Sequence, residues 1–308
     1  MKRAIVTGAT GFLGHWLVRE LLRNHISVTA VVRSKSHANQ LLPENSLLQI
    51  VECPLEPSKD LPEKLSYGTG SVFYHLAWAG VSGSDRSSLN VQLANIQASG
   101  IAAEAAAAAN CSAFVGVGTI MEDESLAVAA TDGTRPSPGY LYGEAKHFSH
   151  LLTKTVCAQR GIPHIWAVVT NAYGEYERSP RFINTTLRKI LHDEPLEFTA
   201  GTQMYDFIHV EDGAKALALI GTSGKPFQSY LIGSGQAAPL RVFVERLGKT
   251  LAPERALHFG SVPYTGVQLP IERFSIDQLT KDTGFAPRIS FEEGLRRTME
   301  WLKQERLE

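Results

Sequence analysis

The stretch VTGATGFLG at residues 6–14 places Gly8, Gly11 and Gly14 three apart, between an apolar run and the helical pattern HWLVRELLRN. Few sequence features constrain a fold more. A turn bare of side chains between a strand and a helix lets backbone approach a pyrophosphate, which free N–H groups and the helix dipole then hold. Gly8 is expected to make the turn, Gly11 the close approach and Gly14 the packing of helix on sheet. The spacing is GxxGxxG rather than GxGxxG, and a glycine triplet alone is a weak signal. Its place after a strand in a βαβ pattern favours dinucleotide binding over a structural turn.

The chain then keeps alternating. SVTAVV, LLQIVE, SVFYHLAW and AFVGVG are short apolar runs, and the patterns between them are helical, among them the alanine-rich IAAEAAAAAN. Alanine is the best helix former and lets helices approach closely, so that run predicts a packed helix ending near Asn110. GYLYGEAKHFSHLLTKTVCAQRG and RFINTTLRKILHDE predict further helices, PHIWAVV another buried strand, and FEEGLRRTMEWLKQERLE a terminal amphipathic helix. The fold class is therefore α/β: a Rossmann-type doubly wound parallel sheet with a smaller C-terminal α/β substrate-binding part. Residues 1–170, with a return segment at about 205–235, are assigned to the dinucleotide-binding domain. Residues 171–204 and 236–308 are assigned to the substrate-binding part.

With 308 residues, 44% of them hydrophobic, the chain can bury a sizeable core. Thirty Lys and Arg against 31 Asp and Glu give no broad attraction to nucleic acid or anionic membrane, which leaves small-molecule chemistry. Cys53, Cys111 and Cys157 are odd in number, widely spaced and without a CxxC pair, which suits a reducing compartment and buried structural roles. No metal ligands are assigned. Met-Lys-Arg runs straight into the strand AIVTG, and no apolar stretch approaches the roughly 20 residues that span a bilayer, so a cytoplasmic location is expected. Asn110-Cys-Ser and Asn184-Thr-Thr are read as chance matches to the glycosylation pattern.

Two further positions carry chemistry. Where an acid would bind the ribose 2′-OH after the second strand, the chain has Arg33, with Lys35 close behind. A cation there favours a 2′-phosphate: NADP(H) is favoured and NAD(H) possible, the alternative being a solvated charge pair. Tyr142 and Lys146 are four apart in YGEAK, on one helix face. A free tyrosine, with pKa about 10, is a poor acid–base catalyst at neutral pH, and an adjacent ammonium stabilises its phenolate. Tyr140, six residues from Lys146, faces elsewhere.

Taken together, the glycine loop, YHLAW at 74–78, Thr119 closing VGVGT, YGEAK at 142–146, TNAYG at 170–174 and DFIHVED at 206–212 resemble the extended short-chain dehydrogenase/reductases over nearly the whole chain. These are NAD(P)-dependent epimerases, dehydratases and reductases acting mainly on nucleotide sugars. The resemblance implies Tyr142 as acid–base, Lys146 as the group that lowers its pKa and holds the nicotinamide ribose, and Thr119 as the partner of the reacting oxygen. Thr10, Phe12, Leu13, Leu76 and Ala77 join the cofactor contacts, and Asn171 contacts substrate. His75 and His209 are given structural roles. Trp78 and AGVSGSDR lie where a substrate or nicotinamide lid would begin, with packing as the alternative for Trp78. Glu122, Asp123 and Glu124 are read as a solvated loop face rather than paired carboxylates, although GTIMEDE resembles GSxxEYG and offers Glu122 a loop-positioning role.

The chain also departs from the family. Tyr205 and Val168 stand where relatives carry arginines, the first of which grips the diphosphate; Arg178, Arg181, Arg188 and Arg273 are the candidates to supply the charge, with a plain surface cation as the alternative for each. Of these, Arg181 and Arg273 are assigned to substrate. Cys53-Pro54 replaces the Gly-Asp pair that contacts adenine. The family's 4,6-dehydratases follow the threonine with an aspartate and a glutamate, whereas Ile120 and Met121 stand here. Arg33 weighs against an NAD-retaining epimerase. The expectation is therefore NADP(H)-dependent reduction of a nucleotide-linked keto-sugar, a 4-keto-6-deoxyhexose. The alternatives are an NAD-dependent nucleotide-sugar 4-epimerase, a reductase of a non-nucleotide carbonyl, and a non-catalytic cofactor-binding protein. Relatives pair the helix at about 90–109 with the Tyr142 helix across a two-fold axis, which implies a homodimer.

Overall fold

The apolar runs become strands because alternating helices cover both sides of them. In the computed structural model, which describes residues 1–54, 60–65, 68–133 and 135–305, the strands are β1 (Arg3–Thr7), β2 (Ser27–Val32), β3 (Leu48–Glu52), β4 (Val72–His75), β5 (Ala113–Thr119), β6 (His164–Val169), β7 (Asn171–Tyr173), β8 (Leu196–Phe198), β9 (Met204–Tyr205), β10 (Phe207–His209), β11 (Ser229–Ile232), β12 (Ala238–Pro239) and β13 (Leu257–Phe259). The helices are α1 (Phe12–Arg23), α2 (Lys35–Leu41), α3 (Asp60–Lys64), α4 (Leu89–Ala108), α5 (Met121–Ala129), α6 (Tyr140–Arg160), α7 (Phe182–Leu191), α8 (Val210–Ser223), α9 (Leu240–Leu251), α10 (Asp277–Thr283) and α11 (Phe291–Glu305).

Seven strands form one sheet in the order β11-β6-β5-β4-β1-β2-β3, all neighbours parallel. A parallel sheet covered on both faces needs apolar side chains at nearly every position. β5 obeys this rule, buried from Ala113 to Gly118. One face packs Trp16, Leu17 and Leu21 of α1 with Leu217 of α8 and Leu279 of α10. The other packs Leu61 of α3, Ala102 and Ala106 of α4 and Cys157 of α6. The alanine run is thus a packed helix, its Ala102, Ala103, Ala105 and Ala106 fully buried. A third core joins Ile183, Leu187, Phe198 and Phe207 to Phe243, Leu247, Leu295 and Met299, drawing on two separate stretches of chain.

β1 lies between β2 and β4, so the strand order reverses there. The crevice at such a reversal, outside the carboxyl ends of the strands, is where open α/β sheets bind ligands. All three cysteines are buried and free. Among the described residues no helix is long and apolar enough to cross a membrane. The Asn184 side chain is buried and donates to the carbonyl of Glu177, so that match to the glycosylation pattern falls on an amide already in use. The terminal helix forms as predicted; residues 306–308 of the segment that predicts it lie outside the described residues.

Candidate active site

The glycine loop joins β1 to α1 at the reversal. Gly8 has φ +70°, and a Cβ on it would lie 2.6 Å from the backbone nitrogen of Ala77, beyond the end of β4. A Cβ on Gly14 would lie 2.1 Å from the carbonyl oxygen of Gly8. Gly11 differs: it is exposed, and a Cβ there would meet only that oxygen, at 3.2 Å. It caps α1 without a side-chain hydrogen bond, leaving first-turn N–H groups for an anion. The cradle fits a dinucleotide pyrophosphate. Thr10, Phe12 and Leu13 are partly buried around it, while Leu76 and Ala77 are tied to Thr7 by backbone N–H bonds. Arg33 and Lys35 stand exposed just past β2, where the backbone N–H of Lys35 donates to Glu52 Oε2 at 2.8 Å.

Thr119 ends β5 and faces the buried Tyr142 and Lys146 of α6. Gly143 lets α6 come this close, since a Cβ there would lie 2.2 Å from Ser125 Oγ and 2.4 Å from the Met121 carbonyl of α5. Burial raises the Tyr142 phenol above its usual pKa, while the charges of Arg181 and Arg86 and a hydrogen bond with Thr119 oppose that rise. Lys146 donates to the carbonyl of Val117 at 2.8 Å, and its Nζ lies 3.8 Å from the centre of the Trp78 ring. Burial lowers its pKa, and the charge of Glu122 pulls it back up. Trp78 meets Tyr142 edge-on at 6.1 Å and donates to Gln92 Oε1 at 3.0 Å. It is packed beneath the Tyr142–Lys146 pair.

Tyr142 and Thr119 open onto a cavity of about 380 Å³ that Asn171 and Arg181 also line. Arg273 is not among its lining residues; it is exposed and pairs with Asp123 at 3.9 Å. Arg178 and Arg188 are both drawn to Glu305 of α11. A cation not singled out from the sequence, Arg86, lines the cavity with its guanidinium 5.0 Å from the centre of the Tyr142 ring. Its only sequence signal is its place at the end of the AGVSGSDR segment. Tyr205, where relatives carry arginine, lines the cavity with Tyr264.

The acidic run corrects a sequence expectation. Glu122, Asp123 and Glu124 form the first turn of α5, not a solvated loop. Glu122 is buried and accepts the backbone N–H of Thr119 at 2.8 Å and the indole N–H of Trp166 at 3.1 Å. Gly118 makes room for it: a Cβ there would lie 2.1 Å from the Glu122 carboxylate. Glu124 lines the cavity; burial pushes its pKa up to about 7, with Arg86 opposing. His75 bonds Thr7 Oγ1 and Ser99 Oγ, and His209 caps α8 and pairs with Glu175 at 3.0 Å. Although no metal ligand was expected, Glu122, His147 and His150 present ligand atoms within 4.8 Å of one another.

Comparison with known proteins agrees with this geometry. Residues 4–233 match the NAD dependent epimerase/dehydratase family. The chain is 24% identical to a dTDP-glucose 4,6-dehydratase of Streptomyces niveus, over 99% of this chain and 94% of that protein. Its fold is similar to that of UDP-glucose 4-epimerase of Thermotoga maritima, solved with UDP-glucose, with TM-score 0.80 and 22% identity, covering 99% of this chain and all (100%) of that one. UDP-glucuronic acid 4-epimerase of Bacillus cereus, solved with UDP-glucuronic acid and NAD, gives TM-score 0.80 at 21% identity, covering 98% and 99% of the two chains.

Proposed function

The chain belongs to the NAD dependent epimerase/dehydratase family, and from that premise we propose an NAD(P)-dependent enzyme that reduces a keto carbon of a nucleotide-linked sugar, with NADPH as the favoured donor. Arg33, exposed just past β2, carries the preference for net reduction over an NAD-retaining epimerase, and Ile120 and Met121, which line the cavity after Thr119 and cannot carry a proton, weigh against dehydration. Gly8, Thr10, Gly11, Phe12, Leu13, Gly14, Leu76 and Ala77 would hold the dinucleotide, and Arg33 and Lys35 its 2′-phosphate. Bound there, the dinucleotide supplies the hydride. Reduction leaves an alkoxide that needs a proton, and burial keeps the Tyr142 phenol protonated at neutral pH, the form required to deliver it. Thr119 orients the oxygen. Arg181 and Arg86 are the cavity cations available to a diphosphate in place of Tyr205. Cofactor binding falls to residues 1–170 and about 205–235, and substrate binding to 171–204 and 236–308.

A second reading has its own observation. Dehydration needs an acid to protonate the departing hydroxyl, and Glu124 lines the cavity with a pKa near 7. Purified enzyme with NADPH or NADH, given in parallel dTDP- or UDP-linked 4-keto-6-deoxyglucose and the parent dTDP- or UDP-glucose, separates the cases. Stoichiometric loss of NADPH absorbance with a new carbinol supports the reductase. Loss of water from the parent hexose, or C4 inversion without net cofactor consumption, overturns it.

We also propose a homodimer in the cytoplasm. Leu89 and Leu93 of α4 and Phe148 and Leu151 of α6 are 50–59% exposed on adjacent helices, an apolar face that a second copy would cover. Light scattering tests it: a 33.7 kDa species would refute it.

A further inference from the structure

We propose that Glu122, His147 and His150 form a binding site for a divalent cation of the Zn²⁺ class, set behind the catalytic turn. His147 and His150 are three apart on α6 and share a face, and α5 brings Glu122 against it. His150 Nδ1 lies 3.9 Å from Glu122 Oε2. That gap is too long for a hydrogen bond. Two atoms that ligate one tetrahedral Zn²⁺ at about 2.0–2.1 Å stand about 3.3–3.4 Å apart, so this pair needs to close by about 0.5 Å to share an ion. The third ligand atom is within 4.8 Å, which leaves at most about 1.5 Å for side-chain rotation to close.

The surroundings orient the donors. His150 Nε2 lies 3.5 Å from Ser229 Oγ. A histidine donating there turns an unprotonated Nδ1 toward the carboxylate, an arrangement of two acceptors that a cation between them satisfies. Trp166 stacks on the His150 ring at 4.6 Å and 3°, and its indole N–H also holds Glu122. Glu122 Oε1 accepts the N–H of Thr119 and Oε2 accepts the indole N–H of Trp166, which leaves Oε2 one lone pair for the ion. Two imidazoles and one carboxylate suit Zn²⁺, with water completing the shell.

The site is independent of the substrate proposed above, and binding alone tests it. Chelator-stripped protein is titrated calorimetrically with ZnCl2, and with CoCl2 followed by visible absorption. One equivalent should bind and raise the melting temperature. His147→Ala and His150→Ala should each weaken binding by at least roughly tenfold, and His147→Ala should melt like the native chain in chelator. His147 is only partly buried, so its variant decides the matter even if His150→Ala fails to fold. No saturable binding to the native chain, or undiminished binding to His147→Ala, overturns the proposal.

Discussion

Two alanine substitutions separate the jobs of the glycine loop. At Gly14 a methyl would stand 2.1 Å from the oxygen and 2.9 Å from the carbon of the Gly8 carbonyl, both under the 3.0 Å that Cβ atoms essentially never breach. The obstacle is backbone, so α1 must move by about 1 Å relative to β1, an overpacking that costs roughly 1–3 kcal/mol. At roughly 2–4 °C per kcal/mol, the melting temperature should fall by about 2–12 °C. At Gly11 the added methyl meets one atom at 3.2 Å, φ is −77° and the residue is exposed, so the free protein should lose no more than about 1 kcal/mol. That methyl nonetheless occupies the surface on which a pyrophosphate would rest. Dinucleotide affinity should drop tenfold or more, equivalent to about 1.4 kcal/mol. Thermal melts with and without NADPH and NADH measure both effects at once. Full dinucleotide stabilisation of Gly11→Ala, or a Gly14→Ala melt within about 1 °C of native, would refute the division of roles.

Tyr142→Phe keeps the buried ring and removes the proton, so turnover should fall by roughly 10²–10⁴ while cofactor-induced stabilisation persists; retained turnover places the acid elsewhere. Arg33→Asp should shift the preference from NADPH toward NADH by at least about tenfold, and unchanged relative affinities would remove Arg33 from the 2′-phosphate site. Burial pushes His75 and His164 to a pKa of about 3 and His15 to about 4, from 6.5 when unfolded. The unfolded chain therefore binds more protons below about pH 6.5, and stability that is complete above that pH drains away as it falls toward 4, about 2 kcal/mol at pH 5 for His75 alone. Melts from pH 7.5 to 5 should show the fall, with a shallower slope for His75→Asn; parallel slopes would contradict it.

Periodic features were legible from sequence because they depend on neighbours along the chain. The glycine loop announced the turn from β1 into α1, and YGEAK placed Tyr142 and Lys146 on one helix face. What escaped depended on contacts between distant residues. The resemblance of GTIMEDE to GSxxEYG singled out Glu122, but did not show that Gly118 and Trp166 draw it into the core while Glu124 turns into the cavity. Arg273 lay where a substrate arginine was expected, but Asp123 holds it at the surface.

The same logic explains why Trp78 resisted assignment as lid or packing. Its orientation depends on Gln92, a buried side chain of α4 whose amide oxygen accepts the indole N–H and whose amide nitrogen donates to the carbonyls of Gly80, Asp85 and Arg86. One glutamine therefore sets both the ring beneath Lys146 and the backbone that presents Arg86 to Tyr142. Because α4 also carries the exposed Leu89 and Leu93, part of the apolar face outside and the placement of Trp78 and Arg86 beside Tyr142 inside depend on one helix. A shift of α4 would move Trp78 and Arg86 together, so the charge environment of Tyr142 depends on how that helix is packed.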